Sequence, residues 1–248
     1  MRKPKLTVIT LKKSVLVVCA LCLCGAAGLL AAAGAFRPSA GEPGMTIVLD
    51  PGHGGIDGGT VGVTTGVPES ELNLLIAREL RSALLSYGFS VVLTRENADG
   101  LYGQPTDGFK RRDMEKRREI IESAAPVLMI SLHLNKFASR QREGAQVFFR
   151  ADSPEGEKAA RAIQDSLNQL NSRAFEALTG DYYMLNCTNF TSVIVECGFL
   201  SNPDDERKLL TPAYRRRLAE KIAEGAVRYL LESGTIAPES APDRTAGG

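Results

Sequence analysis

The sequence predicts an α/β fold: a single three-layer domain with a mostly parallel central sheet flanked by helices, preceded by an N-terminal hydrophobic helix. Three observations carry that expectation. Apolar runs of strand length alternate with segments of helical spacing from residue 45 to residue 231. Helix starts bearing proline or acid recur between them. The composition, 44% hydrophobic and 24% charged, is that of a globular chain and excludes a wholly disordered or collagen-like one.

The elements follow in order. Residues 46–49 form a short apolar strand that runs into a Gly-rich loop. Residues 69–87 place Leu72, Ile76, Leu80, Ala83, Leu84 and Tyr87 at helical spacing, with Gly88 as the stop. Residues 89–94 read as a strand, 110–123 as a strongly charged helix, and 127–132 and 145–149 as strands. Ser153-Pro154-Glu155 supplies a capping oxygen, a first-turn proline and an acid at the positive helix end, opening a helix to about residue 170. Residues 182–185 and 192–196 are expected as strands. Asn202-Pro203-Asp204-Asp205 and Thr211-Pro212 open two final helices, the last reaching about residue 231.

The chain has 248 residues and a formal net charge of +1, which argues against nucleic-acid binding driven by bulk basicity. That total hides an asymmetry. Of 30 basic residues, 5 (Arg2, Lys3, Lys5, Lys12 and Lys13) precede residue 36 with no acid among them, leaving 25 basic against 29 acidic side chains beyond. After this basic cluster, residues 14–36 carry no charge. As a helix they would reach roughly 34 Å, enough for a hydrocarbon core of roughly 30 Å. Basic flank and apolar run together predict a signal peptide or signal anchor over residues 1–36, with the remainder exported and the membrane engaged if the segment is retained. Its length favours an anchor, whereas Ala33-Gly34-Ala35 offers a cleavage site; both readings stand. Residues 37–44 form a linker, 45–231 the α/β domain and 232–248 a disordered tail. Cys19, Cys22 and Cys24 read as small hydrophobes of the export segment, while Cys187 and Cys197 are either two free thiols or one disulfide.

The chain has only two histidines, and both fall at strand ends: His53 within Asp50-Pro51-Gly52-His53-Gly54-Gly55, and His133 within Ser131-Leu132-His133-Leu134-Asn135. Ligands of open α/β sheets bind at the carboxyl ends of the strands, so both imidazoles are expected in one crevice. A catalytic zinc takes three protein ligands, and two His with one Glu is a standard set. Glu69 and Glu71, at the start of the helix after the Gly-rich loop, are both candidates for the acid. Glu196, in an apolar strand, is a candidate proton carrier; its structural alternative is an ion pair with an arginine. A phosphate cradle fits poorly, because no Lys-Ser or Lys-Thr pair follows the glycines.

Together DPGHGG (50–55), Glu69 followed by Asn73-Leu74, SLHLN (131–135) and VECGFLSN (195–202) resemble the zinc-dependent N-acetylmuramoyl-L-alanine amidases of the amidase-3 family. Within that family the stretch Arg111 to Arg118, the SLHLN variant and the compact length look most like the germination-specific cortex amidases of endospore formers. The resemblance implies zinc held by His53, Glu69 and His133, with Glu69 favoured over Glu71 by its place four residues before the Asn. It implies Glu196 as catalytic acid/base, peptidoglycan as substrate, work in the spore envelope and an accessory protein as a partner. The segment Asn186 to Ser192 lacks the family's usual Pro-Ala, and Lys136 stands where a small residue is usual. A non-catalytic wall-binding module and a related zinc peptidase are the competing expectations.

Overall fold

The computed structural model describes residues 45–237. The expected export segment, the linker to residue 44 and the tail beyond residue 237 lie outside the described residues. Among the described residues, no helix is long and apolar enough to cross a membrane.

Six strands form one sheet: β1 (Thr46–Pro51), β2 (Ser90–Leu93), β3 (Leu128–Asn135), β4 (Gln146–Phe149), β5 (Leu178–Thr179) and β6 (Ser192–Phe199), in the order β2-β1-β3-β6-β4-β5. The first four in that order run parallel, and β4 with β5 runs antiparallel to β6. β1 and β6 are buried almost throughout, as expected of strands covered on both faces. The helices are α1 (Glu69–Ser86), α2 (Phe109–Ala124), α3 (Pro154–Leu167), α4 (Tyr183–Asn186), α5 (Pro203–Leu209) and α6 (Pro212–Glu232). α1, α3 and α6 pack together as one outer layer. α2 and the single turn α4 cover the other face, where Ile121, Met184 and Leu185 meet Val48, Met129 and Ile194 of the sheet.

Local chemistry explains most boundaries. Ser153 Oγ accepts the Gly156 N–H, and Asn202 Oδ1 accepts the N–H groups of Asp204 and Asp205, each cap followed by the predicted proline. Gly88 takes φ +86° just past α1, where a side chain would be strained. Three expectations are corrected. Residues 182–185 are not a strand: Met184 and Leu185 are buried side by side, which one helical turn allows and strand alternation does not, and Asn186 bonds back to Asp181 at 2.8 Å. The helix from Pro154 stops at Leu167 rather than near residue 170, because the Asn168 side chain turns to bond the Phe175 backbone. Ile236, placed in the tail, is buried and donates its N–H to Leu230 O. Both Cys187 and Cys197 are free thiols.

Candidate metal centre

The register of the sheet sets the site. Asp50 of β1 lies beside Ser131 of β3, and His133 of β3 lies beside Glu196 of β6. Parallel neighbours in register share a face, so His133 and Glu196 sit side by side toward the carboxyl end of the sheet. Both strands run further than the sequence suggested, and their pairing is irregular between His133 and Asn135. The loop after β1 brings in His53, and the first residue of α1 brings in Glu69.

These residues meet. One ligand atom from each of His53, Glu69 and His133 lies within 4.8 Å of the others. Glu69 Oε1 is 3.3 Å from His53 Nε2 and 3.0 Å from His133 Nδ1. Its second oxygen accepts the Thr60 N–H at 2.9 Å, and the Asn73 amide and Leu134 N–H also donate to Oε1. Burial pushes the Glu69 carboxyl up, but the bonds to His133 and His53 outweigh it and hold its pKa well below the ordinary carboxylate range. Glu71, the rival acid, is exposed on the far side of the first turn.

Sequence reasoning missed Asp57, whose Oδ2 is 3.1 Å from His53 Nδ1. A carboxylate there keeps the proton on Nδ1 and leaves Nε2 facing Glu69. The signal was available, since Asp57 is the only acid in the loop between Gly52 and Gly66. Burial lowers the His53 imidazole, but Glu69 and then Asp57 raise it above its ordinary pKa.

Close approach explains two of the loop glycines. A Cβ on Gly52 would enter the His133 ring, and one on Gly59, at φ +70°, would meet Glu69 Oε2 and His53 Cδ2. Further along the loop, the buried Glu206 carboxylate accepts the N–H groups of Thr64 and Thr65 at 2.8 Å each and the Thr65 hydroxyl at 2.6 Å.

Glu196 is 9% exposed, and its Oε2 is buried without a protein hydrogen-bond partner. Among the described residues it makes no ion pair with an arginine or lysine, which removes the structural alternative read from the sequence. Burial pushes its pKa up to about 7, with His133 pulling down and Glu69 pushing up more weakly. Such a group can both accept and return a proton near neutral pH.

A zinc fit can be judged on this geometry. Two imidazole nitrogens converge on one buried carboxylate, a third group orients one imidazole, and two glycines leave room for them. The donor set suits zinc. The comparison that decides the family is with sequence: residues 47–228 match the profile of N-acetylmuramoyl-L-alanine amidase. The chain belongs to the N-acetylmuramoyl-L-alanine amidase family. The chain is 38% identical over 197 residues to the germination-specific N-acetylmuramoyl-L-alanine amidase of Bacillus subtilis (strain 168), covering 77% of this chain and 82% of that protein. It is 30% identical over 243 residues to the amidase AmiA of Escherichia coli (strain K12), covering 78% and 79%. Among solved structures, the CwlD amidase of Clostridioides difficile, determined in complex with the GerS lipoprotein, superposes with a TM-score of 0.72 at 34% identity, covering 75% of this chain and 98% of that one. The amidase fold expected from the sequence is thus the fold observed.

Proposed function

We propose that this chain hydrolyses the amide joining N-acetylmuramic acid to L-alanine in peptidoglycan, with zinc bound by His53, Glu69 and His133 and with Glu196 as the acid/base. The observation that carries the reading is the juxtaposition, within one amidase-family domain, of a His-Glu-His cluster and a buried, unpaired carboxylate in register beside it. When bound, zinc supplies Lewis-acid polarisation of the scissile carbonyl and a more acidic water.

The chain's own residues do the rest. Asp57 holds the Nδ1–H of His53 and so keeps Nε2 available. Glu69 brings negative charge to the cluster while Thr60, Asn73 and Leu134 fix its orientation. Glu196 takes a proton from the attacking water and returns it to the departing amine of L-alanine, a role for which a pKa of about 7 is suited.

The setting follows from the relatives. A 38% identical protein is named as germination-specific, which supports action on the spore cortex. The complex of the C. difficile amidase with a lipoprotein supports an accessory partner for this chain. Residues 1–36 serve as export segment, cleaved or retained as an anchor, 37–44 as linker and 45–231 as the catalytic unit, which places the work outside the cytoplasm.

Digestion of defined muropeptides with and without a chelator tests the reading. The expected result is a newly freed amino group on L-alanine, lost on chelation and restored by added zinc. Intact muropeptides under all conditions would leave a non-catalytic wall-binding module, and cleavage inside the stem peptide would leave a zinc peptidase.

A further inference from the structure

Three consecutive carbonyls of the His53 loop point at buried guanidinium groups rather than at backbone N–H donors. Arg117 Nη1 donates to Pro51 O at 2.9 Å, and Arg117 Nη2 donates to His53 O at 2.6 Å. Arg95 donates to Pro51 O at 2.9 Å and to Gly52 O at 3.0 Å. The two arginines are anchored differently. Arg117, on α2, is 0% exposed and locked by Asp113 Oδ2 through Nε and by Asp50 Oδ1 through Nη1, both at 2.6 Å. Asp50 is itself held by the hydroxyls of Thr94 and Ser131. Arg95, just after β2, reaches on to Ser70 O at 2.8 Å, tying the loop to the turn that carries Glu69.

His53 needs such a hold. Its φ is +63°, and among the described residues only Ala125 is another non-glycine residue with positive φ. A backbone in that region is sparsely populated and persists where its surroundings over-determine it. The His53 carbonyl, which has no backbone partner, is fixed by Arg117 alone. Rotation of that peptide would swing the imidazole away from Glu69.

We propose that Arg117 is a positioning residue for the metal centre: by gripping the His53 carbonyl while bound to Asp50 and Asp113, it fixes the imidazole against Glu69 and so sets metal affinity. The inference rests on the zinc reading of the site and goes beyond it to a residue that touches neither metal nor substrate. A planar fork is required, because one side chain must reach Asp113, Asp50, Pro51 and His53 at once. Lysine keeps the charge but offers a single nitrogen.

The experiment measures zinc affinity by chelator competition, and the visible spectrum of the cobalt-substituted protein, for wild type and Arg117→Lys. Leu218→Ala, in the buried face of α6 and outside the loop's hydrogen-bond network, controls for lost stability. Arg117→Lys is expected to weaken zinc by about 10- to 100-fold and to alter the cobalt bands, as loss of a group orienting a ligand does. Leu218→Ala is expected to leave both unchanged. If Arg117→Lys does not fold, Asp113→Asn decides, because it keeps an oxygen near Nε but removes the charge that locks the fork; a several-fold loss of zinc affinity is expected. Wild-type affinity together with a wild-type cobalt spectrum in the folded variant overturns the proposal. Failure of wild type itself to take up zinc or cobalt overturns instead the reading on which the proposal rests.

Discussion

The two sides of the sheet around His133 and Glu196 direct their polar bonds at different targets. On the β1 side, the loop from Asp50 to Glu69 is held by polar bonds: Arg117 and Arg95 on its carbonyls, Glu206 on its N–H groups, Asp57 on its imidazole. On the β4 side, β5 is two residues long and Leu178 and Tyr182 are exposed; here side-chain amides tie loop backbone, Gln146 to Glu176 O, Asn168 to Phe175 O and Asn171 to Ala145 O, and none of these bonds reaches His53, Glu69 or His133. Hydrogen bonds are directional, so each network fixes the atoms it ends on: ligand-bearing groups on the β1 side, loop backbone on the β4 side. Control of ligand geometry is thus concentrated on the β1 side.

Four substitutions sharpen or break that contrast. Glu196→Gln should lose about 10²- to 10⁴-fold in turnover on muropeptides while keeping its zinc, because it removes proton transfer and leaves the loop network intact. Near wild-type turnover would remove Glu196 from the chemistry. Asp57→Asn should keep the fold and weaken zinc by about 10- to 100-fold in chelator competition. Unchanged affinity would show that the loop orients His53 without it.

Glu206→Gln tests the loop by stability. The native carboxylate has a lowered pKa: burial pushes it up, but the Thr65 and Thr64 donors outweigh that. Its stabilisation is therefore fully present above the unfolded value of about 4.3 and is lost as pH falls through the lower folded value. Denaturant titration should show the variant less stable by about 1–3 kcal/mol at neutral pH, with the gap narrowing in acid. A gap that widens in acid would contradict the assignment. Leu178→Ala, on the exposed β5 beside β4, should change stability by less than about 0.5 kcal/mol and leave zinc affinity untouched. A loss of zinc there would break the contrast between the two sides.

The sequence made one side more legible than the other. Two histidines in the whole chain, each at a strand end, were enough to bring His53 and His133 into one crevice. Glu69 could be separated from Glu71 only by resemblance, because the first turn of α1 presents both acids and its rotation about its axis is a tertiary matter. Arg117 was hidden for a related reason. Its helix reads as a charged surface, yet Asp113, Arg117 and Ile121 form the buried stripe at spacing four. Ile121 is the one apolar member, and it marks the inward face on which the ion pair rides. On the β4 side, residues 182–185 look like a strand because two tyrosines precede Met and Leu, and nothing in four residues distinguishes a lone helical turn.

The reversal of β4 against β6 has one further consequence. Because β4 enters the sheet from the end where β3 leaves it, residues 136–145 return directly across the end of β6, with Phe137 N–H bonded to Ser201 and Gly144 N–H to Asp205. A wholly parallel order would have spent that connection on a crossover around the sheet. Here it stays at the chemistry. A change in the length or composition of this ten-residue rim would reshape the surroundings of that sheet end while strand register and ligand placement stay as they are.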